Sequence, residues 1–198
     1  MTDIPEYWYK VEEVENGKNI LKISSTYIDG YKHSPRTLLG VAKAHYDPNK
    51  EVLVSIENVK PTMTILQSGG VAKEFGILDL YKYCHNKGTG WMMIDYETHK
   101  KISHLFCAKY KTRNPWEVDI FNASLIKKIA YNTGLSVNLG NNDGKYTTID
   151  GDVVSFLGIE DVYGNTQEYL EGIHGYRSPD GVVVYIYDGL KPTVSDSS

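Results

Sequence analysis

The chain has 198 residues, 21 Lys and Arg against 25 Asp and Glu, a formal net charge of −4 and a pI near 5.9. That balance supplies no basic stripe for nucleic acid or an anionic membrane, and no run approaches the length of an apolar transmembrane helix. An apolar share of 41% is enough for one domain with a core, and 16 Tyr against 4 Phe points to sheet-rich, contact-making surfaces, because tyrosine is at home half-buried.

Residues 6–60 read as antiparallel strands. Asn16-Gly17 is a hairpin turn joining Tyr7–Val14 to Ile20–Ser24, since both residues tolerate left-handed backbone. Asp29-Gly30 marks another turn. Leu38–Tyr46 and Val52–Ile56 flank Asp47-Pro48-Asn49-Lys50, a second hairpin. Residues 62–86 read as a broken helix interrupted at Gly69-Gly70, with Ile77, Leu80, Tyr81 and Cys84 at helical spacing.

Gly88-Thr89-Gly90 turns the chain into Trp91–Ile94, expected to be a short apolar strand. Asp95 is placed to cap a helix carrying Ile102, Leu105, Phe106 and Lys109, which ends before Asn114-Pro115. The pairs Lys100-Lys101 and Lys127-Lys128 read as solvated helix faces. Residues 117–131 permit a short helix, and 132–152 are rich in turn residues. Val153–Leu157 and Val182–Tyr187 read as strands, and Thr193–Ser198 as a disordered tail.

Between the last two strands lies the most informative stretch, GIEDVYGNTQEYLEGI, from Gly158 to Ile173. Gly158, Gly164-Asn165 and Gly172 tolerate sharp turns, Asp161 and Glu168 are acids among apolar neighbours, and a buried Glu168 demands hydrogen-bond donors. On its residues alone the stretch reads as an architectural turn that locks a core, with a catalytic loop as the alternative.

It resembles the G-I-E-D/N-x-x-G-N-x-x-E-x-x-x-G-I signature of C-type-lectin-like domains in tail and other structural proteins of phages and prophages. That family is related in fold to formylglycine-generating enzymes, whose version is G-N-V-W-E-W. Gly164, Asn165 and Glu168 match, and Gln167 and Tyr169 stand where that version has tryptophan. Gly88-Thr89-Gly90-Trp91-Met92-Met93 followed by Glu97, the opening Ile4-Pro5-Glu6-Tyr7-Trp8-Tyr9-Lys10, and Ile28-Asp29-Gly30-Tyr31 extend the resemblance over most of the chain. It implies an α+β fold: a β-rich N-terminal segment over 1–61, a C-type-lectin-like domain with two or so helices and antiparallel strands over 62–192, and a tail over 193–198.

The resemblance implies a non-enzymatic virion protein that binds a host-surface glycan or protein beside other virion subunits, as a homo-oligomer, most simply a trimer. The contact would fall on the tyrosines after the signature, Tyr176, Tyr185 and Tyr187, with Arg177 adding a directed hydrogen bond. A purely structural assembly role is the alternative, followed by a bacterial adhesin or a degenerate enzyme. Against the enzyme, Cys84 and Cys107 do not match the late copper-binding cysteine pair of the kindred enzymes, so no catalytic residue is carried over. Two cysteines so far apart make neither a disulfide framework nor a zinc site. Asn141-Asn142-Asp143-Gly144 and Asp150-Gly151-Asp152 offer oxygens for calcium, yet read more simply as turns. No metal, cofactor, nucleic acid or membrane insertion is expected. The start of the chain shows no signal peptide, which suits assembly in a host cytoplasm. Family members usually continue beyond Val182–Tyr187 into further loops, so the chain is a short form or a piece of a longer protein.

Overall fold

The Asn16-Gly17 hairpin forms as its sequence predicts. Asn16 (φ 70°, ψ 29°) and Gly17 (φ 70°) are both left-handed, the geometry that matches the twist of two paired strands. In the computed structural model, which describes residues 1–61, 75–118, 132–140, 142–147, 152–163, 170–179 and 181–186, this turn joins β2 (Tyr7–Val14) to β3 (Lys18–Ser24). β1 (Thr2–Ile4) precedes them. β4 (Lys32–Ser34), β5 (Thr37–Leu39), β6 (His45–Asp47) and β7 (Val52–Val54) follow. Two helices come next, α1 (Ile77–His85) and α2 (Tyr96–Tyr110). The remaining strands are β8 (Gly144–Thr147), β9 (Asp152–Phe156), β10 (Ile159–Glu160), β11 (Ile173–Ser178) and β12 (Gly181–Ile186).

The fold is α+β. Among the described residues every strand pairing is antiparallel, in the orders β3-β2-β4, β10-β9-β8, β1-β5, β6-β7 and β11-β12. An isolated parallel bridge, Asp95 to Glu171, ties the start of α2 to the end of the signature.

α2 starts where Asp95 caps it, its side chain accepting from the Thr98 amide at 2.7 Å. It ends at left-handed Lys111, before Asn114-Pro115. One face of α2 buries Ile102 and Phe106 against Ile4, Val154 and Phe156, the main core. Phe106 meets Phe156 and Tyr163 edge-on, at 5.6 and 5.0 Å between ring centres. Burying side chains of this size contributes about 1.5–3 kcal/mol each.

The N-terminal strands share that core. Ile4 sits in it, the Thr2 hydroxyl donates to the Leu157 carbonyl at 2.9 Å, and the Glu160 amide to the Val41 carbonyl at 2.7 Å. A second cluster, Leu53, Phe75 and Tyr83, packs α1 on the β6–β7 hairpin.

Four expectations are corrected. Leu38–Tyr46 is two strands: β5 pairs with β1, and β6 pairs with β7 after a break at Gly40. A side chain at Gly40 would press on Ser55 Oγ at 3.1 Å, so the chain crosses there between ladders. Trp91–Ile94 is irregular, tied to the signature's end by the Glu171 amide on the Ile94 carbonyl and by the Met93 amide on the Glu171 carboxylate rather than by a ladder. Lys101 is no solvated lysine: it is 2% exposed, and its ammonium donates to the Ile4 and Pro35 carbonyls at 3.3 and 2.5 Å. Burial lowers its pKa, with Asp3 and Glu6 opposing. Residues 144–147, read as loop, form the edge strand β8. The expected Gly69-Gly70 break, the helix within 117–131 with Lys127-Lys128, and the tail lie outside the described residues.

Candidate functional site

The two ends of the signature are built to hold backbone. Leu157 (φ 54°) and Gly158 (φ 71°) form the two-residue turn that folds β10 back on β9, Asp161 (φ 51°) follows β10, and Gly172 (φ 82°) turns the chain into β11. Asp161 is fully buried and caps the turn, its amide donating to the Val154 carbonyl at 2.7 Å while Oδ1 accepts from the Val154 amide at 3.3 Å. Glu160, 3% exposed, reaches across to residues 134–136. It accepts from the Gly134 amide at 2.7 Å and from the Ser136 amide and hydroxyl at 2.8 Å each. Glu171 accepts from the Met93 amide at 3.1 Å, and its own amide donates to the Ile94 carbonyl at 2.9 Å. These acids are structural fasteners. Gly164, Asn165 and Glu168, in the middle of the signature, lie outside the described residues.

The tyrosines proposed for binding fall on an antiparallel ribbon, β11 with β12. Tyr176 pairs with Val183, Arg177 with Val182, and Tyr185 with His174. Tyr176 and Arg177 are consecutive in a strand, so the pleat assigns them to opposite faces. Tyr176, Val183, Tyr185 and His174 share one face by register. Arg177 shares the other with Val182 and Val184, both exposed. Tyr187 lies outside the described residues.

The calcium candidates are engaged otherwise where they are described. Asp143 accepts from the Tyr110 hydroxyl and the Leu157 amide and pairs with Lys109 at 2.7 Å. Its pKa is held down by Lys109 and Tyr110 against the opposing effect of burial. Asp152 pairs with Lys145 at 3.1 Å and accepts from the Thr147 hydroxyl. Among the described residues no group of three or more His, Cys, Asp or Glu is arranged to hold a metal ion, and no helix is long and apolar enough to cross a membrane. Cys84 lies in α1 and Cys107 in α2, both as free thiols, and burial pushes the Cys84 thiol up to about 11.

The richest side-chain arrangement lies on the β3-β2-β4 sheet. Its inner face turns Tyr7 and Tyr9 onto α2. Tyr7 Oη is 3.3 Å from His104 Nδ1, and the Tyr9 ring centre is 4.6 Å from that of His104. Burial lowers the His104 pKa, helped by Lys100 and Arg113, and raises the Tyr7 hydroxyl to about 12.

The outer face is open. Trp8 lies opposite His33 in the register, and their rings lie 5.0 Å apart at 30°. Tyr27, 68% exposed, follows β3 and sets its ring at 88° to Trp8, 6.5 Å away. Two carboxylates flank the rings: Glu6 Oε2 is 2.9 Å from His33 Nε2, and Asp29 accepts from the Tyr27 hydroxyl at 3.3 Å. Two residues along β2, Lys10 and cross-strand Lys22 share Glu12.

This cluster is not legible in the sequence, because its members lie far apart, at positions 8, 27 and 33, and strand pairing and the chain's return after β3 bring them together. The available signal was the alternation in Tyr7-Trp8-Tyr9, which puts one large ring on the face opposite the other two. Comparison with known proteins finds no matching family model, no matching curated protein and no matching solved structure.

Proposed function

We propose that this chain is a non-enzymatic binding protein of a phage or prophage virion, holding a host-surface glycan or protein through the outer face of the β3-β2-β4 sheet. The observation that carries the reading is the open cluster of Trp8, Tyr27 and His33 between Glu6 and Asp29. Aromatic side chains give large contact area at low entropic cost, and their presence outside a core marks interaction surfaces. The virion setting rests on the C-type-lectin-like resemblance of the signature and of the Gly88–Met93 segment. A weak single site gains from repetition, by about 10²–10⁴ when geometry allows several copies to engage, so the working form is an oligomer, most simply a trimer.

The second reading is an assembly piece that docks to a neighbouring virion subunit. The exposed Val182 and Val184 on one face of the β11–β12 ribbon favour it, because a ribbon that pairs as two strands among the described residues is marginal in water and gains from a partner surface. Light scattering and capture of multimerised protein on candidate host cells separate the two. The binding reading expects capture lost in a Trp8→Ala/Tyr27→Ala variant and kept in Val182→Asp. Loss of oligomers and of incorporation in Val182→Asp, with no cell capture by any form, supports assembly instead.

A further inference from the structure

Taking that outer face as the contact surface, we infer that the group it receives is a quaternary ammonium carried next to an anion, a headgroup of the phosphocholine kind. The rings of Trp8 and Tyr27 meet edge to face, at 88° and 6.5 Å, and with the His33 ring 5.0 Å from Trp8 at 30° the corner of π surface left for a ligand lies beside the Tyr27 contact, away from His33. Such corners attract organic cations through the negative faces of the rings, most strongly for tryptophan. The charges at the corner have the matching sign. Glu6 and Asp29 each accept from one ring group, through His33 and Tyr27, and a carboxylate offers about four acceptor sites, so both still face a cation with negative charge.

The other end of the face has the opposite sign. Lys10 and Lys22 share the single carboxylate of Glu12, with Lys10 at 3.0 Å, leaving one net positive charge. Lys10 follows Trp8 on the same face of β2, two residues and about 7 Å further along the strand. A lone cation would meet attraction at one end and repulsion at the other. A zwitterion laid along the strand satisfies both, with its ammonium in the aromatic corner and its anion towards the lysines. A methylated ammonium suits the corner better than a bare one, because it sheds little hydration on entering.

The test titrates the full chain by calorimetry with phosphocholine and with 3,3-dimethylbutyl phosphate, the same shape with carbon in place of nitrogen. Phosphocholine is expected to bind saturably, and the isostere, which keeps the phosphate but lacks the ammonium charge, about tenfold more weakly. Tyr27→Ala and Glu6→Gln, both at exposed positions that leave the sheet intact, are each expected to weaken phosphocholine binding about fivefold or more. Equal binding of the isostere, no saturable binding of phosphocholine, or unchanged binding in both variants overturns the inference. Capture by phosphatidylcholine vesicles that depends on Tyr27 assigns a lipid source. Soluble binding without vesicle capture assigns a headgroup displayed singly. Host-cell capture that depends on Trp8 and Tyr27 but resists competition by phosphocholine rejects this ligand and leaves the binding function standing.

Discussion

Replacing Glu160 with Ala tests how the signature holds the fold. Its carboxylate sits at 3% exposure and accepts three bonds, from the Gly134 amide, the Ser136 amide and the Ser136 hydroxyl. The hydroxyl can rotate towards another acceptor. The two amides are held in place: Thr133 N donates to the Val59 carbonyl at 3.0 Å, Asn58 N to the Thr133 carbonyl at 2.8 Å, Gly134 lies so close to Glu57 that an added Cβ would be 2.6 Å from its Cα, and the Ser136 carbonyl accepts from the Leu139 amide at 2.9 Å. Each stranded donor costs about 1–3 kcal/mol, and the vacated volume adds to that. The expected loss is about 3–5 kcal/mol, a large part of the roughly 5–15 kcal/mol that holds a domain of this size. Glu160→Gln keeps the shape and one acceptor, strands one amide, and is expected to lose about 1–3 kcal/mol. Urea unfolding followed by circular dichroism measures both, and hydrogen exchange reads the Gly134 and Ser136 amides directly. A Glu160→Ala protein that loses under about 1 kcal/mol, or keeps slow exchange at both amides, refutes the reasoning.

Three further outcomes follow from the same structure. The His104 pKa is lowered in the fold, so below the ordinary value of 6.5 the unfolded chain binds more protons than the native one, and stability falls as pH drops from 7.5 towards 5. Asp143, held below 3.8, contributes its loss only at more acid pH, so His104→Phe should flatten the upper window in a urea-midpoint series; an unchanged slope would count against the packing described. With Cys107 replaced by Ser, iodoacetamide should alkylate Cys84 about a hundredfold more slowly than an ordinary thiol at pH 8, since its pKa near 11 stands two units above 9.0; mass spectrometry showing ordinary rates would contradict its burial. Gly17→Ala forces a side chain into left-handed backbone at φ 70° and should cost about 1–2 kcal/mol in a thermal melt, with no change expected if the turn is not of this type.

What the sequence made legible was local. Asn16-Gly17 specifies its hairpin through backbone freedom alone, and Asp95 caps α2 three residues before the amide it holds. The apolar face of α2 follows from helical spacing, and Ile102 and Phe106 are buried as that spacing demands. What stayed hidden depended on chain crossings. Lys101 reads as half of a charged pair until β1 and the Pro35 turn close over it and supply carbonyls. β8 lacks a visible pattern because Lys145, Tyr146 and Thr147 are all exposed on an edge strand. The signature announced a fastener, but in the described residues the fastening acids are Glu160, Asp161 and Glu171 at its ends, whose partners are up to 78 positions away. The aromatic face was hidden for the same reason, since β2 meets β4 only by register.

The most direct measurement is capture of fluorescent, artificially multimerised protein on host-type cells or an array of surface glycans, comparing the native chain with Trp8→Ala/Tyr27→Ala. The native chain is expected to be retained, and the double variant, folded by circular dichroism, to lose at least about tenfold in apparent affinity, as removal of two aromatic anchors implies. Equal retention of the two proteins would contradict the binding reading.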